Sequence, residues 1–114
     1  MICIVAAVHD GDTFTCADRT AIRIAGVEAR ELSGRCHLPR CAPATGAEAR
    51  TILVRLVPRQ TLSCDQLDGS HERIVARCAL PDGRDLRCAL LAAGVVVAWP
   101  KYVRLYGLAR CRSN

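Results

Sequence analysis

The sequence predicts a single α+β domain in which five short strands form a barrel with two or three helices beside it. Three observations lead to this prediction. The chain of 114 residues is long enough for one hydrophobic core and too short for two. With 51% hydrophobic and 24% charged residues, its composition is that of a globular protein. Short apolar segments, separated by Asp-Gly turns, stand on either side of one helical segment. Residues 1–114 are therefore predicted to form one domain.

The first three predicted strands surround and follow a turn with the sequence Asp10-Gly11-Asp12. Ile2–Val8 and Thr13–Cys16 are predicted to pair as a hairpin, because Asp-Gly is a strong turn signal and glycine accepts positive φ. Thr20–Val27 alternates in polarity and predicts a third strand. Three successive strands indicate a meander.

A loop and a helix are predicted next. Arg30–Thr45 is rich in Pro, Gly, Cys and Arg, which predicts an irregular loop and a candidate substrate-gripping segment. Gly46–Val57 has apolar residues at helical spacing and Pro58 as its stop, which predicts an amphipathic helix.

The remaining segments complete the predicted barrel. Thr61–Cys64 and Ile74–Leu80 are predicted strands on either side of a polar loop, and Leu80–Asp85 holds a second Asp-Gly turn. Leu86–Val95 and Tyr102–Cys111 are predicted helices. A helix between the third and fourth of five strands is the connectivity of the OB-fold, a partly open Greek-key barrel that commonly binds oligonucleotides.

The positive charge of the chain is carried almost entirely by arginine. Lys and Arg exceed Asp and Glu by 16 to 11, and Lys101 is the only lysine. The arginine fork suits phosphate and favours a polyanionic partner, although GC-rich coding can produce the same bias. No segment reaches the roughly 18 apolar residues of a membrane span, so no membrane partner is expected. The sequence shows no strong oligomerisation signal, and we expect a monomer.

The chain contains eight cysteines and no C-x-x-C pair, so the spacings fit no zinc finger or ribbon. An even number in a small domain favours disulfides in an oxidising compartment, with Cys36 and Cys41 the easiest pair to close. Several cysteines could instead be buried free thiols. A secreted or periplasmic location is favoured if a leader has been removed, and a cytoplasmic one otherwise.

The two aspartates of the first turn have two interpretations. In the ordinary one they only cap the turn. In the functional one they form half of a divalent-cation site, because like charges held close together are usually neutralised by a cation. This second interpretation requires further carboxylates nearby.

Several motifs, taken together, resemble those of a known protein family. The runs VHDGDTF, IRIAGVEARE, SHERIVARC, LPDGRDLRCALLAAGVVVA and KYVRLY, in this order, resemble the staphylococcal nuclease (thermonuclease) family over roughly residues 5–106. The resemblance implies an OB-fold barrel, a calcium-dependent nuclease activity on DNA or RNA, and products with 3′-phosphate ends.

The resemblance also implies roles for particular residues. The implied metal ligands are Asp12, Glu28, the backbone carbonyl of Ala29, and Asp10 through water. The implied catalytic residues are Glu31, which would activate water, and two phosphate-binding arginines, Arg23 and Arg73. The candidates for substrate contact are Thr13, His71, Trp99 and Tyr102, the last two by base stacking or, equally, by core packing alone.

The chain departs from the family pattern near these residues. Glu28 stands where the family usually has aspartate, so another divalent ion is an alternative to calcium. Arg30 replaces a proline, which is expected to loosen the turn and to add charge near the phosphate. Surface ion pairs of Glu28 and Glu31 with Arg30 and Arg35 are an ordinary alternative. His37 is expected to be a loop histidine rather than a ligand.

Two further functions remain open. One is a catalytically inactive OB-fold module that binds single-stranded nucleic acid or a protein partner. The other is a cysteine-rich metal-binding or redox protein.

Overall fold

Five strands of the protein close into a barrel, as a computed structural model of residues 1–57, 61–70 and 72–111 shows. The helices and strands, in chain order, are β1 (Ile2–Asp10), β2 (Thr13–Cys16), β3 (Ala21–Ile24), β4 (Val27–Glu28), α1 (Gly46–Leu56), β5 (Thr61–Ser70), β6 (Arg73–Ala79), α2 (Leu86–Ala92), β7 (Val97–Ala98) and α3 (Tyr102–Leu105). A 3₁₀ turn, Leu108–Arg110, follows α3.

The strand order around the barrel is β1-β2-β3-β6-β5, and β5 pairs with β1 to close it. β3 and β6 run parallel, whereas the other neighbours are antiparallel. This is the OB-fold-like α+β barrel that the sequence predicts. Phe14, fully buried, lies among aliphatic side chains in the core. None of the helices in the described ranges is long and apolar enough to cross a membrane.

The β5–β6 hairpin is longer than predicted. The polar segment 65–70 continues β5, and its pairing with β6 runs on to Ser70 opposite Arg73. The segment is polar because most of it is exposed. The sequence therefore predicted a loop where a solvated hairpin forms. Two residues named in the predictions, Pro58 as the helix stop and His71 as a substrate contact, lie outside the described residues.

Three predicted boundaries are wrong for the same reason. The third strand ends at Ile24, because Gly26 turns the chain with φ of 78°, and β4 then pairs with the unpredicted β7. Gly94 and Gly107 also have positive φ, at 75° and 71°, and they lie just beyond the shortened helices α2 and α3. Glycine in this left-handed conformation commonly ends a helix.

All eight cysteines are paired, which confirms the prediction of disulfides. The pairs are Cys3–Cys16, Cys36–Cys41, Cys64–Cys78 and Cys88–Cys111. The first and third join neighbouring strands inside the core, whereas Cys36–Cys41 closes a short loop at the surface. That loop lies beside the candidate site.

Candidate functional site

A cleft of about 240 Å³ brings the candidate residues together. It lies where the β1–β2 turn, β3, β4, the following loop and the start of β6 meet. Its lining residues are Asp10, Asp12, Thr13, Arg23, Glu28, Ala29, Glu31, His37 and Arg73. The predicted catalytic and metal-ligating residues thus share one cleft.

The β1–β2 turn is held in this cleft by close packing. A Cβ on Gly11 would lie 2.5 Å from the Cβ of Ala49 in α1 and 2.7 Å from that of Ala29. Because Gly11 has no side chain, the turn can pack directly against α1. The prediction that Gly11 supplies positive φ is wrong, since it is not among the positive-φ glycines.

Asp12 is one of two buried acidic residues of the cleft, with 7% of its surface exposed. Its Oδ2 accepts a hydrogen bond of 2.9 Å from the N–H of Ala29 and lies 3.6 Å from Nη2 of Arg23. Burial raises the pKa of Asp12 to about 7; the charge of Arg23 opposes this rise and the nearby Asp10 adds to it. The group therefore holds its proton at a higher pH than an ordinary aspartate does.

Asp10 has the opposite behaviour on the same turn. Burial acts to raise its pKa, but hydrogen bonds with Asp12 and Thr13 outweigh this effect and lower the pKa below its ordinary value. The Thr13 hydroxyl donates to Oδ1 of Asp10 at 2.6 Å. Thr13, predicted to contact substrate, thus lines the cleft with its hydroxyl group bonded to Asp10.

Glu28 is buried and both of its oxygens are engaged. Oε1 accepts from Nη2 of Arg23 at 3.0 Å, and Oε2 accepts from the backbone N–H of His37 at 2.9 Å. Arg23 also donates from Nη1 to the carbonyl of Ile24 at 2.7 Å. The ion pair of Glu28 is therefore formed with Arg23 inside the cleft and not with Arg30 or Arg35.

Glu31 and His37 form a second pair at the mouth of the cleft. The Nε2 of His37 lies 3.0 Å from Oε2 of Glu31, and both side chains are about half exposed. The sequence interpretation assigned His37 no role. The available signal was its position between Cys36 and Cys41, because a short closed ring holds its residues in a defined orientation.

Arg30 organises the loop and does not extend toward the cleft. It donates from Nε to the carbonyl of Ala42 at 2.9 Å and from Nη1 to that of Gly34 at 3.1 Å. The expectation that Arg30 loosens the turn is wrong, since these bonds join the segments on either side of the Cys36–Cys41 disulfide. Arg30 is not among the lining residues of the cleft. Gly46, at the start of α1, packs directly on the backbone carbonyl of Glu31, where a Cβ would clash.

A second, smaller cleft of about 190 Å³ adjoins the first. It is lined by Trp99, Tyr102, Lys101, Gly26, Ile24 and Arg23, and Arg23 lines both clefts. The Nζ of Lys101 lies 4.9 Å from the ring centroid of Tyr102. Trp99 and Tyr102 thus lie beside the carboxylate cleft with partly exposed rings. Arg73 is exposed at the edge of the first cleft.

The donors of the first cleft fit a hard divalent cation through the pair Asp10 and Asp12. Both residues lie on one turn that lines the cleft, and carboxylate oxygens are the ligands that such an ion prefers. Binding would require Asp12, whose pKa is raised, to lose its proton. Glu28 would first exchange Arg23 or the His37 N–H for the ion. The backbone carbonyl of Ala29 was also an implied ligand. The contact that the structure shows for the Ala29 backbone is the hydrogen bond from its N–H to Asp12.

One tighter group of metal-ligating residues lies elsewhere in the described part of the chain. Asp85, Cys88 and Cys111 have ligand atoms within 4.8 Å of one another. The two sulfur atoms form a disulfide, and Asp85 accepts two hydrogen bonds from the side chain of Arg87. This group therefore offers no thiolate to a metal.

A scan against models of known protein families matches none of them, and a search of curated proteins finds no significant match.

Proposed function

We propose that the protein is a metal-dependent nuclease that hydrolyses phosphodiester bonds of DNA or RNA. One observation carries the proposal: four acidic residues, among them the buried Asp12, and two arginines line a single cleft. Buried carboxylates with shifted pKa values are typical of functional sites and costly elsewhere. The resemblance to the thermonuclease family supports the same assignment.

The chemistry follows from what the reaction requires. A water oxygen must attack phosphorus in line with the leaving 5′ oxygen, forming one P–O bond while the other breaks. Glu31, at the cleft mouth, is the proposed acceptor of the water proton. Arg23 and Arg73 would pair with the phosphoryl oxygens, where negative charge develops. The leaving 5′ oxygen would take up a proton from solvent water, so the products would carry 3′-phosphate and 5′-hydroxyl ends.

The cation would be held by Asp10, Asp12 and, after exchange of its partners, Glu28. When bound, calcium or another divalent ion supplies positive charge that polarises the phosphate. Asp12 loses its proton on binding, so affinity for the ion rises with pH through about 7.

The substrate class is assigned from the second cleft. Trp99 offers a ring on which an unpaired base can stack, and Lys101 adds positive charge beside it. Tyr102 lines the same cleft with its ring already stacked on Tyr106, so it shapes the cleft. A base in this cleft would leave its phosphate beside Arg23, which lines both clefts. Single-stranded nucleic acid is therefore the preferred substrate of the proposed enzyme. The four disulfides favour a protein that functions in an oxidising compartment.

The test is digestion of single-stranded DNA, duplex DNA and RNA with calcium, with magnesium and with chelator. Glu31→Gln removes the proposed base and is expected to lower the cleavage rate at least about 100-fold. Asp65→Asn is the matched control, because Asp65 is exposed and pairs with Arg77 at the surface. The proposal fails if no metal supports cleavage, or if Glu31→Gln and Asp65→Asn cleave equally well.

A second candidate function is favoured by the Arg23–Glu28 contact. Both oxygens of Glu28 accept hydrogen bonds from protein groups without a metal, one from Arg23 and one from the His37 N–H. This is expected of an OB-fold module that binds single-stranded nucleic acid without cutting it. Fluorescence anisotropy with a labelled oligonucleotide in chelator separates the two functions. Binding without cleavage in any metal would establish the module.

A further inference from the structure

His37 lies at the centre of the loop that borders the cleft, and it contacts two of the proposed functional carboxylates. Its backbone N–H donates to Glu28 Oε2 at 2.9 Å, and its ring Nε2 lies 3.0 Å from Glu31 Oε2. No other residue described here bonds to both carboxylates. One residue thus sets the relative position of Glu28 and Glu31.

The loop that carries His37 is held at several points. The disulfide Cys36–Cys41 closes a ring that begins immediately before His37. The side chain of Arg30 bonds to carbonyls on either side of this ring, those of Gly34 and Ala42. The N–H of Glu31 bonds to the carbonyl of Arg35, one residue before Cys36. The loop therefore presents the imidazole to Glu31 in one orientation.

An exposed carboxylate without such a partner rotates freely. Glu31 is 45% exposed in its side chain, so burial alone does not orient it. A base must lie within hydrogen-bonding distance of the water that it deprotonates, and misplacement by about 1 Å can cost about 100-fold in rate. A neutral imidazole with the proton on Nε2 donates to Oε2 of Glu31 and leaves Oε1 for the water.

We propose that His37 is a positioning residue: its Nε2–H holds the Glu31 carboxylate toward the attacking water, and the Cys36–Cys41 ring holds His37. The inference rests on the proposed nuclease function. It assigns a catalytic purpose to a loop that otherwise only connects β4 to α1. The Glu31 carboxylate remains the group that accepts the proton.

The test compares His37→Ala and His37→Gln in calcium-dependent cleavage of single-stranded DNA. The amide nitrogen of Gln lies about as far from Cβ as the Nε2 of His, so Gln can restore the donor. We expect His37→Ala to lower kcat about 10- to 100-fold with KM nearly unchanged, and His37→Gln to recover most of this loss. His9→Ala is the matched control, since His9 is exposed and bonds Thr15 outside the cleft.

Two further comparisons separate positioning from a merely structural role. In a Glu31→Gln background, His37→Ala should cause little further loss, because residues that act as a unit are not additive. Replacing Cys36 and Cys41 together by serine should lower kcat as His37→Ala does. The same replacement of Cys88 and Cys111 is the control, since that pair is equally half-buried and lies outside the cleft lining.

Each result has a defined meaning. Full activity of His37→Ala, equal losses for Ala and Gln, or additive losses with Glu31→Gln would overturn the inference while leaving the nuclease function in place. Absence of cleavage by the unaltered protein in every metal would overturn the nuclease function and the role of His37 with it. Circular dichroism of each variant identifies any loss caused by unfolding, and His37→Ala that unfolds would make His37 structural.

Discussion

Two of the Asp-Gly pairs in the sequence, Asp10-Gly11 and Asp82-Gly83, lie on turns that differ in almost every physical respect. Asp82 and Gly83 lie on an exposed turn, where Gly83 has φ of 89° and a Cβ there would meet nothing within 4 Å. Asp10 and Asp12 flank Gly11, which packs against α1 and Ala29. Glycine is therefore used at the second turn for its positive φ, and at the first turn because it has no side chain to separate the turn from α1.

The carboxyl groups of the two turns differ in the same way. Asp82 is exposed, and hydrogen bonds from Arg84 lower its pKa. Asp12 is buried, and this burial raises its pKa to about 7. The comparison teaches that the packing around an Asp-Gly turn determines whether its carboxylate has unusual chemistry.

The largest expected difference between the turns is in activity. Asp12→Asn removes a proposed cation ligand, and we expect cleavage of single-stranded DNA to fall about 100- to 1000-fold in saturating calcium. Asp82→Asn should leave cleavage unchanged within about twofold. Equal activity of the two variants would show that the first turn, like the second, only reverses the chain.

The next difference is in folding stability. Gly11→Ala forces a Cβ into Ala49 and Ala29, so we expect a loss of about 3 kcal/mol in the free energy of unfolding. Gly83→Ala meets no neighbour and strains only a positive φ, for about 1 kcal/mol. Urea unfolding of the metal-free variants measures both values. A smaller loss for Gly11→Ala than for Gly83→Ala would contradict the close packing of the first turn.

The smallest difference is in the pH dependence of stability. The folded pKa of Asp12 lies above its ordinary value, so the folded state binds more protons than the unfolded state from about pH 4 to about 7. Protonated Asp12 therefore contributes to the stability of the folded state at low pH, and this contribution is lost as pH rises through 7. With chelator present, we expect Asp12→Asn to gain roughly 2 kcal/mol over the unaltered protein between pH 5 and 8.

The exposed turn supplies the control for that experiment. The pKa of Asp82 is lowered, so its small contribution is lost only as pH falls below its ordinary range. Asp82→Asn should follow the unaltered protein from pH 5 to 8. Parallel curves for all three proteins would show that Asp12 is ionised throughout this range. Calcium added at pH 8 should stabilise the unaltered protein and not Asp12→Asn.

Much of the fold was predictable because its signals are local. The α1 helix was predicted almost to its last residue from apolar spacing, and its N-cap Thr45 forms a capping box with Glu48. The strands β1 and β2 and the second Asp-Gly turn were predicted from alternation and turn chemistry. The extended β5–β6 hairpin was missed, because a polar strand in solvent has the composition of a loop.

The candidate site was predicted in part. The Asp10 and Asp12 turn was singled out from its own residues, whereas Glu28, Glu31 and Arg23 were named through the resemblance to the thermonuclease motifs. His37 was missed, since its contacts with Glu28 and Glu31 span nine and six residues of irregular loop. Irregular backbone has no period from which such distances can be inferred.

The sequence by itself determined the barrel, the helix between its halves, the use of cysteines in disulfides and the carboxylate-rich first turn. These depend on hydrophobic period, turn residues and composition, which act over a few positions. Only the tertiary structure decided which partners the charges take: Glu28 with Arg23, Glu31 with His37, and Asp12 in burial that raises its pKa. Such pairings depend on distances between residues remote in the chain, and those distances exist only after the barrel has closed.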